Sequence, residues 1–227
     1  MNSFLNPPSS FSSTSVDNIA IGSYTTNKNC KRERYILESI IDALAKYESV
    51  SQDFLKSELE EGKAVFFKAP PRGRPVAVGK GLKIKVNANI GTSGDVHDEG
   101  LEIRKLEAAV KAGADAVMDL STGGDLRSMR KKIISASEIP VGSVPIYEAI
   151  VKAVREKGGG EKMTSDEMLD AIRLHGEDGI SFVTVHCGVT GSVLERLEKS
   201  PRVCGIVSRG GSFLARWMRV KDRKSVV

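Results

Sequence analysis

The sequence predicts an α/β fold built on a parallel sheet. From residue 83 onward, short β-branched runs alternate with amphipathic helical patterns, and strands that alternate with helices form parallel β/α units. The composition is that of a globular protein, because 40% of the 227 residues are apolar and 28% are charged. The first 82 residues follow other patterns, so we assign the repeating β/α region to residues 83–221.

Two segments precede that region. Residues 1–30 are rich in Ser, Asn, Thr and Pro, which predicts a disordered leader. Residues 31–82 predict a small region of helices and short strands. Apolar residues at helical spacing, Ile36, Ile40, Leu44 and Tyr47, predict a first helix. A second helix is predicted between the N-cap candidate Ser51 and Gly62. Two short strands, Val65–Phe67 and Val76–Val78, are predicted on either side of a PPRGRP turn.

Five strand candidates follow, at 84–89, 115–120, 139–144, 181–186 and 204–208. Helical patterns separate them, and two begin at clear signals: a capping box at Thr164–Glu167 and a threonine at Thr190. Eight such units close into a barrel, and an open doubly wound sheet is the alternative. The sequence contains neither G-x-G-x-x-G nor a true P-loop. We therefore favour an incomplete TIM-type (β/α)8 barrel that holds about the first five units.

Charge, sorting signals and cysteines exclude several classes of function. The net charge is +5, but Lys and Arg are spread among nearly as many acids, which argues against nucleic acid as a partner. No signal peptide or membrane-spanning run is visible, so we expect no membrane partner and a cytoplasmic location. Cys30, Cys187 and Cys204 are far apart and form no C-x-x-C, which predicts reduced thiols and no cluster site.

Polar residues collect where the predicted strands end, which is where a parallel barrel places its catalytic face. They are Asn87 and Asn89, Asp119 with Ser121 to Gly124, Tyr147, His186, and Ser208 to Ser212. Each alone has a structural explanation: an Asn can end a turn, Met118 can fill the core, and His186 can be a buried histidine. The S-R-G-G stretch is more specific. Two glycines before a helix and an arginine suit an anion, which favours a phosphorylated small molecule.

Five longer motifs carry a resemblance. They are KVNANIGTS (85–93), GADAVMDLSTGGD (113–125), PVGSVPIY (140–147), FVTVHCGV (182–189) and GIVSRGGSFLARWM (205–218). In this order and spacing they closely resemble the phosphomethylpyrimidine synthase family of thiamine biosynthesis. The resemblance implies a (β/α)8 barrel and a radical S-adenosylmethionine carbon–carbon lyase. The implied reaction converts 5-aminoimidazole ribonucleotide to 4-amino-5-hydroxymethyl-2-methylpyrimidine phosphate, formate and carbon monoxide.

The resemblance also implies a set of substrate contacts. Matched motif by motif, they are Asn89, Met118, Tyr147, His186, Ser208, Arg209 and Gly210. It implies S-adenosylmethionine, a [4Fe–4S] cluster and a divalent metal, zinc or iron, as cofactors of the full-length enzyme, and a homodimer. The family's two metal-binding histidines and its C-x-x-C-x-x-x-x-C cluster motif have no counterpart in this chain. No catalytic or metal-ligating residue is therefore assigned here.

The last six residues, Asp222 to Val227, match the translation of a common sequencing adapter, so we interpret 222–227 as a non-native tail. On this interpretation the chain is a fragment. We expect it to aggregate or stay partly molten unless it self-associates, and to lack synthase activity alone. Two alternatives stay open. One is a non-catalytic module that binds a phosphosugar or ribonucleotide. The other is a different phosphate-binding barrel enzyme, which the lack of a strand-end lysine disfavours.

Overall fold

The structure, a computed structural model, describes residues 31–67 and 73–221, with only the backbone of 31–37. The predicted leader at 1–30 and the predicted tail at 222–227 lie outside the described residues. The remainder is an α/β protein in which helices cover a parallel sheet. The predicted fold class is thereby confirmed at the level of α/β with a parallel sheet.

The amino-terminal region consists of two helices and a hairpin. Helix α1 spans Lys31–Glu48 and helix α2 spans Gln52–Glu60; strands β1, Ala64–Phe67, and β2, Val76–Gly79, pair antiparallel. Ser51 caps α2 by accepting a hydrogen bond from the Phe54 amide, as the sequence predicted. The two helices and the hairpin enclose their own apolar cluster, formed by Ile41, Leu44, Ala45, Leu55, Leu59, Ala64 and Ala77.

Four parallel strands form the main sheet, in chain order from one edge to the other. They are β3, Asn87–Ile90; β4, Ala116–Asp119; β5, Val141–Ser143; and β6, Phe182–Val183. Four of the five predicted strands are thus confirmed, each in a shorter form. Strand order that follows chain order is expected of successive barrel units, whereas a doubly wound sheet reverses its order.

The predicted fifth strand at 204–208 is wrong. Residues 204–208 form a turn and an irregular segment, and Gly205 has a φ of 59°. The side chain of Val207 is 72% exposed. Strand β6 has only two residues, so it offers this run little ladder to pair with. A β-branched run becomes a strand only when a neighbouring strand accepts its backbone hydrogen bonds.

Six helices accompany the sheet: α3, Glu99–Lys111; α4, Leu126–Ala136; α5, Pro145–Lys157; α6, Ser165–Glu177; α7, Gly191–Lys199; and α8, Arg209–Lys221. Polar side chains cap α3, α4, α6 and α7 at Asp98, Asp125, Thr164 and Thr190. The predicted capping box at Thr164 and Glu167 is present, with each side chain bonded to the other residue's amide. A short 3₁₀ helix, Gly160–Lys162, joins α5 to α6.

The two faces of the sheet have different partners. On one face, Val117 and Val141 pack with Leu106 of α3 and with Met129 and Ile133 of α4. Successive residues of a strand point to opposite faces, so Met118 lies on the other face, where it joins the cluster that contains Ile146 and Trp217. We call the first the helix face and the second the inner face. Strand pairing places Asn89, Met118, Gly142 and Phe182 in one row on the inner face.

Within the described ranges, 31–67 and 73–221, no helix is long and apolar enough to cross a bilayer.

Candidate functional site

Two of the predicted substrate contacts lie side by side on the inner face. Asn89 and Met118 are paired residues of β3 and β4. Asn89 is exposed, and its side-chain oxygen accepts a hydrogen bond of 3.2 Å from the Asn87 amide group. Met118 is 9% exposed, and its sulfur lies 4.0 Å from the hydroxyl of Thr184. This pair offers an exposed amide beside an apolar thioether.

Three further predicted contacts meet after β6. Nε2 of His186 lies 3.1 Å from Oγ of Ser208, and Ser208 Oγ also accepts a hydrogen bond of 3.2 Å from the Gly211 amide. Gly210 lies against the His186 ring, because a Cβ at Gly210 would fall 2.2 Å from its Cε1 atom. The loop after β6 and the start of α8 are therefore built around one imidazole. We call His186, Ser208, Arg209, Gly210 and Gly211 the imidazole cluster.

Arg209 connects this cluster to the remaining contact, Tyr147. Its guanidinium carbon lies 5.5 Å from the centre of the Tyr147 ring, and that ring also makes an edge contact with Phe213. Tyr147 is 8% exposed and is held at the start of α5. No carboxylate in the described part of the chain pairs with Arg209, unlike Arg127 and Arg130, which both pair with Asp178. Arg209 can therefore receive an external anion.

The first turn of α8 adds backbone donors beside Arg209. The Gly211 amide bonds Ser208 Oγ and the Ser212 amide bonds the Ser208 carbonyl. The amides of Arg209 and Gly210 have no such partner among the described residues. Unpaired amides at the start of a helix of 13 residues favour a negatively charged ligand. The arrangement can bind an anion between a guanidinium and two N–H groups.

Burial lowers the pKa of His186 below its ordinary value of 6.5. Its Nδ1 atom is buried and has no hydrogen-bond partner among the described residues. The ring is therefore held neutral near pH 7, with Nε2 facing Ser208. A neutral imidazole has one N–H donor and one acceptor, and the capacity of Nδ1 is unused among the described residues.

We expect this burial to make the protein less stable as the pH falls. Because the folded-state pKa of His186 lies below 6.5, the unfolded chain takes up a proton first, so the free energy of unfolding decreases as pH drops through 6.5. Urea titrations from about pH 7.5 to about pH 5.5 should show a decrease that His186→Gln removes, of less than about 1 kcal/mol because the side chain is partly solvated. An identical pH dependence in both proteins would contradict the assignment.

Asp119, one of the polar residues at the predicted strand ends, lies on the opposite side of the sheet from Met118. Burial raises the pKa of Asp119, and hydrogen bonds from Ser121 offset this only in part. Asp119 sits beside a buried ionic network on the helix face rather than beside the imidazole cluster. The reason is strand geometry, since it follows Met118 by one residue.

The ionic network joins α4, α5 and α6 behind the sheet. The Arg130 guanidinium lies 2.6 Å from a Glu148 oxygen and 2.7 Å from an Asp178 oxygen. His175 bridges Glu148 and Ser143, with its Nε2 2.8 Å from Glu148 and its Nδ1 2.7 Å from Ser143 Oγ. Arg130 and His175 are buried. Because Glu148 follows Tyr147, the network fixes the start of the helix that carries this predicted contact.

The S-T-G-G loop after β4 has a structural role. The Thr92 hydroxyl donates to the Gly123 carbonyl at 2.7 Å, and the Thr122 amide donates to the Thr92 carbonyl at 2.9 Å. A Cβ at Gly123 would fall 1.8 Å from the Ser93 carbonyl oxygen. The loop after β3 and the loop after β4 therefore pack backbone to backbone. This close approach accounts for a glycine at position 123 without any ligand.

Comparison with known proteins identifies the family. The profile of the Radical SAM ThiC family matches residues 26–227. The chain belongs to this family. Relatives named phosphomethylpyrimidine synthase include those of Syntrophus aciditrophicus, 48% identical over 183 residues, and Thermodesulfovibrio yellowstonii, 46% identical over 191 residues. The one from Methanopyrus kandleri is 45% identical over 204 residues. The predicted family resemblance is confirmed.

The chain spans less than half the length of these relatives. The three alignments cover 80%, 84% and 88% of this chain but 43%, 45% and 47% of the relatives.

The described residues do not fit an iron–sulfur cluster or a bound metal. Cys187 and Cys204 are exposed and far apart in sequence. In residues 31–67 and 73–221, no three His, Cys, Asp or Glu side chains converge as a metal site requires. We therefore assign no chemical step to a metal held by this part of the chain.

A groove of about 900 Å³ lies beside the site, between α5, α8 and the two packed loops. Its lining includes His97, Arg155, Phe213 and Arg216, and it contains none of the seven predicted contacts. Phe213 separates the groove from the Tyr147 ring, which it touches edge-on. This groove is therefore a feature separate from the row of Asn89 and Met118 on the inner face.

Sequence reasoning missed the aromatic residues that lie on the inner face. The ring of Phe182 covers Gly142, and Phe67 of the amino-terminal hairpin stacks on Phe182 at 4.7 Å between ring centres. A signal for Phe182 was present, because in the predicted strand 181–186 it precedes His186 by four residues and would share its face. Phe67 comes from a distant part of the chain and carries no such signal.

Proposed function

We propose that the protein acts in thiamine biosynthesis as a phosphomethylpyrimidine synthase. The proposed reaction of the complete protein converts 5-aminoimidazole ribonucleotide and S-adenosylmethionine to 4-amino-5-hydroxymethyl-2-methylpyrimidine phosphate, formate and carbon monoxide. Family membership supports this proposal, as do relatives that carry the synthase name. The part described here would bind and orient the ribonucleotide. We expect no turnover from this chain alone.

The observation that carries the proposal is the start of α8. Its first turn combines an arginine without an acidic partner among the described residues and two unpaired amides, and the neutral imidazole of His186 lies beside it. Arg209 and the amides of Arg209 and Gly210 would hold the phosphate through charge-assisted hydrogen bonds. Ser208 would orient the His186 ring while its hydroxyl faces the ligand.

The other predicted contacts surround the nucleoside part. Asn89 and His186 would orient the ribose and imidazole through hydrogen bonds, and Tyr147 would add a phenol at the rim. Met118 would supply an apolar wall. Because a radical rearrangement must exclude water and stray hydrogen donors, tight positioning of the whole ribonucleotide is the contribution we assign to these residues.

S-adenosylmethionine supplies the radical chemistry in the proposed full-length enzyme, together with a [4Fe–4S] cluster and a divalent metal, zinc or iron. The described residues supply no ligands for the cluster or the metal. What this chain contributes is substrate recognition. We also propose that the sheet is part of a (β/α)8 barrel, supported by strand order that follows chain order. A homodimer and a cytoplasmic location complete the proposal, with neither nucleic acid nor membrane as a partner.

Calorimetry with 5-aminoimidazole ribonucleotide tests the site. We expect the chain to bind the ribonucleotide and Arg209→Ala to weaken binding by about 10- to 100-fold, since a hydrogen-bonded charge is lost. Arg219→Ala is the matched control, because Arg219 lies in the last turn of the same helix and pairs with Glu198. No binding by the folded chain, or equal binding by both variants, would refute the assignment.

A further inference from the structure

We propose that Phe182 and Phe67 form an apolar floor that receives the heterocyclic ring of the ligand, and that Gly142 leaves the space that the Phe182 ring occupies. The inference rests on the proposed function, which it extends with a determinant of specificity. It also gives the amino-terminal hairpin a direct part in the site. Three observations lead to it.

The first observation is the register of the sheet. Asn89, Met118, Gly142 and Phe182 form one row across the four strands, on the inner face. Two members of this row, Asn89 and Met118, are predicted ligand contacts. The other two are therefore at the same depth in the site. A side chain that extends over the inner face from β6 meets a ligand that rests on Met118.

The second observation is how Phe182 uses the space at Gly142. A Cβ at Gly142 would lie 2.4 Å from two carbons of the Phe182 ring. The ring therefore lies across β5 in the space that any other side chain at position 142 would fill. Gly142 lies in the middle of a strand and needs no positive φ, so the close ring is the reason a glycine is required.

The third observation is the second ring. Phe67, the last residue of β1, stacks on Phe182 with 4.7 Å between ring centres and 26° between planes. Both side chains are only half-buried, so the pair keeps apolar surface open. Thr184, two residues after Phe182, touches Met118 and leads to His186. Along the direction of β6, the apolar rings thus come before His186 and the anion donors that contact it.

This polarity matches a ribonucleotide with a flat heterocycle at one end and a phosphate at the other. Aromatic side chains stabilise a heterocycle by stacking and by excluding water. The floor should therefore contribute to binding of the ring and not to binding of the sugar phosphate. That difference separates a role in recognition from a role in folding.

Binding of two ligands measures this difference. 5-Aminoimidazole ribonucleotide carries the heterocyclic ring, and ribose 5-phosphate lacks the ring. We expect Phe182→Ala and Phe67→Ala to weaken ribonucleotide binding by about tenfold or more, and ribose 5-phosphate binding by less than about twofold. Phe66→Ala is the control, since Phe66 precedes Phe67 in β1 but packs on the amino-terminal cluster. It should leave both affinities unchanged after correction for the folded fraction.

Gly142→Ala supplies a second test. The added methyl group should displace the Phe182 ring and weaken ribonucleotide binding, and the double variant Gly142→Ala with Phe182→Leu should recover part of the loss. If the variants lost the same affinity for both ligands, the two rings would have only a structural role, and the proposal would be wrong. The proposal would also be wrong if the wild-type chain bound ribose 5-phosphate as tightly as the ribonucleotide. If the folded wild type binds neither ligand, the proposed function itself fails, which is a distinct result.

Discussion

Arg130→Met should destabilise the protein by about 3–5 kcal/mol, since it leaves Glu148 with only His175 and Asp178 with only solvent-exposed basic partners. Arg130 is 2% exposed and pairs with Glu148 and Asp178. Burial opposes ionisation of Glu148, but hydrogen bonding to His175 and the charge of Arg130 lower its pKa. Burial likewise opposes ionisation of Asp178, whose pKa is lowered by Arg127 and Arg130. Urea denaturation followed by circular dichroism measures the loss.

Arg127→Met is the matched control. Arg127 also pairs with Asp178, but its side chain is 46% exposed, so its removal should cost less than about 1 kcal/mol. The pH dependence adds a second check. Because the pKa values of Glu148 and Asp178 are lowered from 4.5 and 3.8, the contribution of the pairs is present above those values and lost below them. The difference between wild type and Arg130→Met should therefore stay constant down to about pH 5 and narrow as the pH falls further, through 4.5 and 3.8. If Arg130→Met and Arg127→Met lowered the free energy of unfolding equally, the central role of Arg130 in the network would be contradicted.

Gly210→Ala should abolish measurable ligand binding while the protein stays folded. The new methyl group would fall 2.2 Å from Cε1 and 2.5 Å from Nε2 of His186, so the ring must leave its place beside Ser208. The affinity for 5-aminoimidazole ribonucleotide should fall at least about a hundredfold, because one displacement disturbs the imidazole, the serine and the helix start together. Overpacking should cost about 1–3 kcal/mol of stability. Calorimetry and thermal denaturation measure the two effects separately.

Gly191→Ala controls for the loss of a glycine at a helix start. Gly191 is the first residue of α7, and a Cβ there meets no atom within 4 Å. It should leave both affinity and stability close to wild type. Wild-type affinity in Gly210→Ala would mean that the contact between Gly210 and His186 has no part in binding.

Local signals in the sequence predicted the individual elements well. Ser51, Thr164 and Thr190 each begin a helix as predicted, because a capping side chain acts within one turn of the chain. The prediction of a strand at 204–208 was wrong because strand formation does not depend on local signals alone. Its apolar pattern is strand-like, but a strand also depends on a neighbour, which the sequence of the segment itself does not show.

Part of the geometry of the candidate site was predictable from the sequence. His186 and Ser208 were assigned to neighbouring strand ends, and the structure brings them into contact. The alternation of side chains along β4 already separates Asp119 from Met118. The buried network of Arg130, Glu148 and His175 was not visible, since its members lie on three helices whose packing only the fold defines.

The loops after β3 and β4 are shaped by each other. A Cβ at Gly91 would lie 2.6 Å from the backbone of Leu120 and Ser121, and one at Gly123 would meet the backbone of Ser93 and Gly94. Neither backbone can move without the other. An insertion, deletion or graft in one loop alone therefore disrupts both loops. Any redesign of these loops has to exchange residues 91–94 and 120–124 together.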